Sequence, residues 1–194
     1  MKPAVECLAE QLRAAGWLGR LSAQAPLAPY TTFRIGGAAD LVVEATNSAE
    51  LQQAWQLAHE CEVACLVLGR GSNVLVSDRG VRGLVVLNRC IGWEISPSGT
   101  LTVASGMPLT EVAERTGAAG WAGLEWAVGI PGSVGGAIVG NAGAHGGYVG
   151  DVLTGITVLD HGQVRGLTRD ELGLGYRTSM LKTMPNCNGR PIIL

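Results

Sequence analysis

Apolar residues recur at three- and four-residue spacing at Val5, Leu8 and Leu12, with Gly16 placed to stop the turn, which predicts a short amphipathic helix over residues 4–15. Leu21 to Tyr30 carries two prolines and no helical period, so it reads as an extended connector. Asp40 to Ala45 has the composition of a strand. Asn47 and Glu50 then stand at capping-box spacing ahead of Leu51, Trp55 and Ala58, one face of a helix that runs to about Cys61. Ala64 to Leu68 is a continuous apolar run of strand length, followed by a glycine-containing break, Gly69 to Asn73, and a second β-rich run, Val74 to Val76. Strand, helix and strand make a βαβ unit. Its crossover makes the strands parallel and buries both faces of their sheet.

After Leu84 to Asn88 the texture changes. Trp93 to Ser96 and Leu101 to Ala104 flank Pro97, Ser98 and Gly99, the pattern of an antiparallel hairpin. Pro108 opens a helix that continues to about Ala119 and stops at Gly120. Leu153 to Asp160 and Gln163 to Leu167 form a second hairpin about His161-Gly162, and Thr168 to Glu171 has the capping-box spacing of a short helix. The chain ends on Pro191 to Leu194, an apolar strand-like run with nothing after it. The expected organisation is an N-terminal helix and connector over 1–25, a subdomain of parallel strands over 26–88, and a mixed, antiparallel subdomain over 89–194.

Composition narrows the function classes. With 47% apolar and 15% charged residues in 194, the chain has the material for a core and is not disordered. A formal charge of −2 with no basic block lacks the electrostatic footprint of a nucleic-acid binder. No apolar run approaches the ~18 residues of a membrane span, and Glu6, Glu10 and Arg13 interrupt the N-terminal segment, so neither a spanning helix nor a signal peptide is expected, and the expected location is the cytoplasm. Cys7, Cys61, Cys65, Cys90 and Cys187 form no CxxC pair and suit neither a disulfide framework nor a metal site, so they are read as reduced and mostly structural. The sequence sets no oligomeric state.

Two glycine segments carry the candidate chemistry. Gly69-Arg70-Gly71-Ser72-Asn73 follows a buried strand, where a turn with exposed N–H groups serves equally as an ordinary tight turn or as a pyrophosphate cradle. It is no Rossmann loop, because GxGxxG is missing and strand-like residues follow it. Between Gly129 and Gly147 lie eight glycines interspersed with Ile130, Val134, Ile138 and Val139. Solvated linkers seldom carry so many branched apolar residues, which favours ordered backbone against a large planar ligand. His145 inside this segment reads as solvent-facing or structurally hydrogen-bonded, and Arg177 after Tyr176 meets either carbonyls or the carboxylate or phosphate of a substrate.

Five segments in order, TTFRIGG (31–37), GRGSN (69–73), GIPGSVGGA (129–137), NAGAHGG (141–147) and GYRTS (175–179), resemble the UDP-N-acetylenolpyruvoylglucosamine reductase family, also called UDP-N-acetylmuramate dehydrogenase. The resemblance implies an α+β, FAD-binding fold of the vanillyl-alcohol-oxidase type, two α+β subdomains with the flavin between them. It implies cofactor contacts at Thr32, Arg34, Ile35 and Gly37, at Gly69, Arg70, Gly71, Ser72 and Asn73 for the pyrophosphate, at Gly129, Ile130, Pro131, Gly132, Ser133, Gly135 and Gly136, and at Asn141, Ala142, Gly143 and Ala144. Where covalent-flavin relatives carry a histidine this chain has Ser72 and Asn73, so the implied FAD is non-covalent. NADPH is the implied co-substrate, a UDP-sugar the implied substrate, Tyr176 and Arg177 its implied contacts, and Arg177 the implied catalytic cation. The family's proton-donating serine motif and C-terminal glutamate are missing from these residues, so the chain is expected to be a form lacking the C-terminal substrate-binding domain. Two alternatives stand beside the reductase: an inert FAD-binding module, and another oxidoreductase on the same flavin fold.

Overall fold

A computed structural model describes residues 3–184 and 191–194. The chain divides into two compact units, which among the described residues are Pro3–Arg89 and Cys90–Met184 with Pro191–Leu194. No described helix is long and apolar enough to cross a membrane.

The first unit is a four-stranded sheet with two helices. Helix α1 (Pro3–Leu12) buries Val5, Leu8 and Leu12 and continues through a wider turn, Arg13–Trp17, that reverses at Gly16 with φ +92°. Leu21–Pro26, read from sequence as a connector, is strand β1, paired antiparallel with β2 (Ala38–Ala45). Its signal failed because β1 is an edge strand with one neighbour: its exposed positions need no apolar alternation, and Pro26 sits at its end, where a missing N–H is tolerated.

Helix α2 (Ser48–Glu60) begins where the spacing predicts, with Asn47 Oδ1 accepting from Glu50 N at 2.9 Å. Glu50 does not complete the box on Asn47; its carboxylate accepts from Thr46 N and Oγ1 instead. Strands β3 (Cys65–Leu68) and β4 (Val81–Asn88) finish the sheet in the order β1-β2-β4-β3, with β4 parallel to both β2 and β3. The crossover β2-α2-β3 therefore leaves a gap that β4 fills. Val74 to Val76 is irregular backbone packed on the core, not a strand. Between Ala39 and Leu41 the register slips past an extra residue of β4, and Asp40 closes the irregularity by accepting from Gly83 N at 2.9 Å and Arg82 Nη1 at 2.6 Å.

The second unit opens with a hairpin, β5 (Trp93–Ile95) and β6 (Leu101–Val103), then α3 (Leu109–Ala118), whose cap is Pro108. The glycine segment is ordered: a short helix α4 (Val134–Val139), then strands β7 (Gly143–Ala144) and β8 (Gly147–Tyr148) joined by His145-Gly146, both at positive φ. Helix α5 (Val149–Val152) leads to the hairpin β9 (Gly155–Asp160) and β10 (Gln163–Thr168), again turned by a His-Gly pair at positive φ, the backbone that two-residue hairpin turns require. The Thr168-Glu171 spacing yields half of a box: Glu171 accepts from Thr168 N and Oγ1, but no side chain caps the element that follows, a single 3-10 turn, Asp170–Leu172, in place of the expected short helix. Helix α6 (Met180–Thr183) follows, and the terminal apolar run supplies β11 (Ile192–Ile193), antiparallel to β9. Leu109, Ala113, Ile138, Val158, Leu172 and Leu181 make the core of this unit.

Candidate FAD-binding site

Strands β2, β3 and β4 run parallel, so their carboxyl ends lie along one edge of the first unit's sheet, the edge at which open α/β sheets bind ligands. The 69–73 turn leaves β3 at that edge, and Arg89 follows β4 there. Arg89 Nη1 donates to Gly69 O at 2.7 Å, which ties the two strand ends together.

The TTFRIGG segment packs on the same turn. Thr32 N donates to Gly71 O at 3.0 Å, and a Cβ on Gly71 would lie 1.9 Å from Tyr30 O and 2.9 Å from Thr31 Cα. Gly71 also has φ +68°, so both sterics and backbone conformation require glycine there. This contact fixes what the glycine is for. It admits the 30–32 backbone; any ligand comes after.

Pro29, Tyr30, Thr31, Thr32, Arg34, Arg70 and Arg89 line an open, solvent-facing cavity of about 350 Å³. Three guanidinium groups and no carboxylate line it. Burial and then Arg70 lower the pKa of Arg89, while Glu44 and Tyr30 push the other way. Three arginines lining one cavity suit an anion, and guanidinium forks match the paired oxygens of a diphosphate. Arg34 sits at φ +54°, an uncommon backbone for a non-glycine residue, between the exposed apolar side chains of Phe33 and Ile35. Gly37 does not line the cavity: a Cβ there would lie 2.1 Å from Asp78 O, and its N–H donates to Ser77 O.

In the second unit Asn141, Gly143, Tyr176 and Arg177 meet at the Gly175–Thr178 turn, whose ends exchange backbone hydrogen bonds of 3.1 and 3.2 Å. Tyr176 and Arg177 are its two tip residues; Tyr176 is 80% exposed and Arg177 takes φ +57°. Arg177 Nη2 donates to Gly143 O at 2.9 Å, and Lys182 Nζ donates to Arg177 O at 2.7 Å. The turn is held from below by buried Asn141, whose Nδ2 donates to Gly175 O and whose Oδ1 accepts from Gly150 N, each at 2.9 Å.

Much of the glycine segment serves internal packing. Ser133 caps α4 by accepting from Gly136 N, Gly135 N donates to Ser105 O, and Gly132 O accepts from Leu109 N. A Cβ on Gly143 would lie 2.2 Å from the Tyr148 ring, and one on Gly135 3.1 Å from Ser105 Cβ. Ile130 and Ala142 pack against the core, so the side chains of Ser133, Asn141, Ile130 and Ala142 are committed within the unit and only their backbone remains for a ligand. Gly129 differs: at φ +83° it has nothing within 4 Å of a Cβ.

The structure thus brings Thr32, Arg34 and Arg70 together in the first unit and Asn141, Gly143, Tyr176 and Arg177 in the second, while Gly37 stays outside the first cluster and Gly132 and Gly135 are tied to Leu109 and Ser105. Sequence reasoning missed Arg89. Its signal was available, since an arginine directly after a buried parallel strand stands at the ligand-binding edge.

Residues 39–165 match the FAD binding domain family. UDP-N-acetylenolpyruvoylglucosamine reductase of Synechococcus sp. (strain JA-3-3Ab) is 45% identical over 169 residues, 86% of this chain and 54% of that protein. The crystal structure of UDP-N-acetylenolpyruvylglucosamine reductase from Thermus caldophilus superposes with a TM-score of 0.69 at 32% identity, covering 87% of this chain and 58% of that one. An alkyldihydroxyacetonephosphate synthase, at 18% identity and a TM-score of 0.63, shares the fold alone. The chain spans about half the length of the curated relatives it matches. It has the α+β fold of the vanillyl-alcohol-oxidase type and belongs to the FAD binding domain family.

Proposed function

We propose that this chain is the FAD-binding part of an NADPH-dependent, cytoplasmic reductase that converts UDP-N-acetylenolpyruvoylglucosamine to UDP-N-acetylmuramate for peptidoglycan synthesis. The observation that carries the reading is the carboxylate-free cavity of Arg34, Arg70 and Arg89 at the carboxyl edge of the parallel strands. The residues present fit the cofactor. Thr32, Arg34, Arg70 and Arg89 would hold its diphosphate, and Ser72 and Asn73 offer no imidazole for a covalent link, so it is held non-covalently. When bound, FAD supplies the hydride chemistry between NADPH and the enolpyruvyl double bond.

We assign the contact with the substrate to Arg177. An enolpyruvyl carboxylate gains delocalised negative charge as hydride arrives, and a fixed cation beside it stabilises the transition state more than the ground state. Fixing is what the turn provides: the Arg177 guanidinium is anchored on Gly143 O, its carbonyl on Lys182, and the turn beneath it on Asn141. Of the five donors on an arginine fork, the bond to Gly143 engages one side only, and the exposed side chain keeps donors for a carboxylate. Tyr176 beside it offers an exposed ring and hydroxyl for the same substrate.

A second reading is an inert FAD-binding module. NADPH oxidation dependent on UDP-N-acetylenolpyruvoylglucosamine separates the two. Joined to the remainder of a relative, the chain turns over and Arg177→Lys cuts kcat while flavin stays bound, since an ammonium cannot reproduce the fork. Unchanged turnover in Arg177→Lys removes this residue from the mechanism. A flavin-loaded fusion without turnover decides for the module.

A further inference from the structure

The packing of α1 on α2 brings together two cysteines that sequence spacing leaves unrelated. Cys7 is exposed on α1, Cys61 is the half-buried residue that ends α2, and their sulfurs stand 3.7 Å apart. Gln11 bridges them: Cys61 Sγ donates to Gln11 Oε1 at 3.3 Å, and Gln11 Nε2 donates to Cys7 Sγ at 3.8 Å. We infer that Cys7 and Cys61 form an oxidisable dithiol, a modification site for low-molecular-weight disulfides, whose closure joins the N-terminal helix to α2.

The geometry favours an intramolecular product. Bonded sulfurs lie ~2.05 Å apart, so side-chain rotation must close the remaining gap. Room exists for it, because Cys61 lies past the last regular turn of α2 and Glu62 after it already takes φ +54°. Exposure decides the order of events. The thiolate of Cys7 attacks one sulfur of the small disulfide and expels one thiolate, leaving a mixed disulfide on Cys7. The thiolate of Cys61 then attacks the Cys7 sulfur, forms the Cys7–Cys61 bond and expels the second thiolate. Two protein thiols are oxidised and one disulfide is reduced to two thiols, the two expelled thiolates taking up the two protons the protein thiols lose. Burial, and then the neighbouring Cys7, push the Cys61 thiol up to about 11, which suits it to the second, intramolecular step, where proximity replaces ionisation as the source of rate. Burial pushes the Cys65 thiol up to about 12.

The test incubates the folded chain, carrying Cys187→Ser so that only described thiols report, with glutathione disulfide and follows intact mass and a non-reducing peptide map. The expected product is ~2 Da lighter, with the Cys7 and Cys61 peptides joined and no accumulating glutathione adduct. Its thermal midpoint rises by about 5 °C or more and returns on reduction, because the cross-link restrains a long loop of the unfolded chain. Cys61→Ser is expected to stop at a stable glutathione adduct on Cys7 with no rise in midpoint. A persistent adduct in the parent chain, a cross-link through Cys65 or Cys90, or no reaction overturns the proposal.

Discussion

Replacing Gly71 by alanine tests whether the cradle is built by backbone contact. The added Cβ would lie 1.9 Å from Tyr30 O, and φ is +68°. The left-handed backbone alone costs about 1–2 kcal/mol, offset by up to about 1 kcal/mol of unfolded-state entropy. The overlap adds more, because real contacts to a Cβ begin above 3 Å and the obstructing atom is backbone on the segment that also supplies Thr32 and Arg34. Forcing that segment away breaks the Thr32 N to Gly71 O bond, worth about 1 kcal/mol, and strains its neighbours, for a total of about 3 kcal/mol. Gly16→Ala in the same unit is the control: φ is +92° but nothing lies within 4 Å of its Cβ, so only the backbone term of about 1 kcal/mol applies. Urea unfolding of both variants and an FAD titration give the comparison. Gly71→Ala is expected to lose about 2 kcal/mol more than Gly16→Ala and to bind FAD at least ~10-fold more weakly. Equal losses, with FAD binding intact, refute the argument that the 30–32 and 69–73 backbones must touch.

Glu50 should confer acid sensitivity. Its carboxylate, held at about 2 by the Arg20 guanidinium and by Thr46, is depressed in the folded state, so its contribution is present above the ordinary carboxylate range and lost as pH falls through about 2. Because Arg20 is partly exposed, about 1–2 kcal/mol is expected to disappear between pH 5 and pH 2, and Glu50→Gln flattens that part of a stability-against-pH curve. Asn141→Ala should cost about 1–3 kcal/mol by stranding buried Gly150 N and removing one of the two donors to Gly175 O, and should raise hydrogen exchange in the 175–178 turn; unchanged exchange there would show the turn to be held by other contacts. Arg89→Met, which keeps the buried stem but removes the charge, should weaken pyrophosphate binding ~10-fold and reduce its salt dependence, read by calorimetry.

Legibility in the sequence followed how local the cause was. Asn47, the His161-Gly162 turn and the Thr168-Glu171 spacing are local devices, and each marked its element. Edge strand β1 was not legible, because its partner β2 is separated in sequence and one neighbour imposes little apolar pattern. The eight glycines of the 129–147 segment were visible, but their separate duties were not: Gly143 makes room for the Tyr148 ring, Gly135 for Ser105, and Gly146 turns the chain. Those neighbours are set by tertiary packing. The same is true of Arg89 beside Arg70 and of Cys7 beside Cys61, pairs that only the packing of one element on another brings into range.

The most direct measurement is an equilibrium titration of the folded chain with FAD, followed by flavin fluorescence at two salt concentrations with and without inorganic pyrophosphate. Saturable binding that weakens as salt rises and is competed by pyrophosphate is the expected result, since the proposed diphosphate site is the cavity lined by Arg34, Arg70 and Arg89. Saturable binding indifferent to both salt and pyrophosphate, or no binding by a chain that is demonstrably folded, would contradict it.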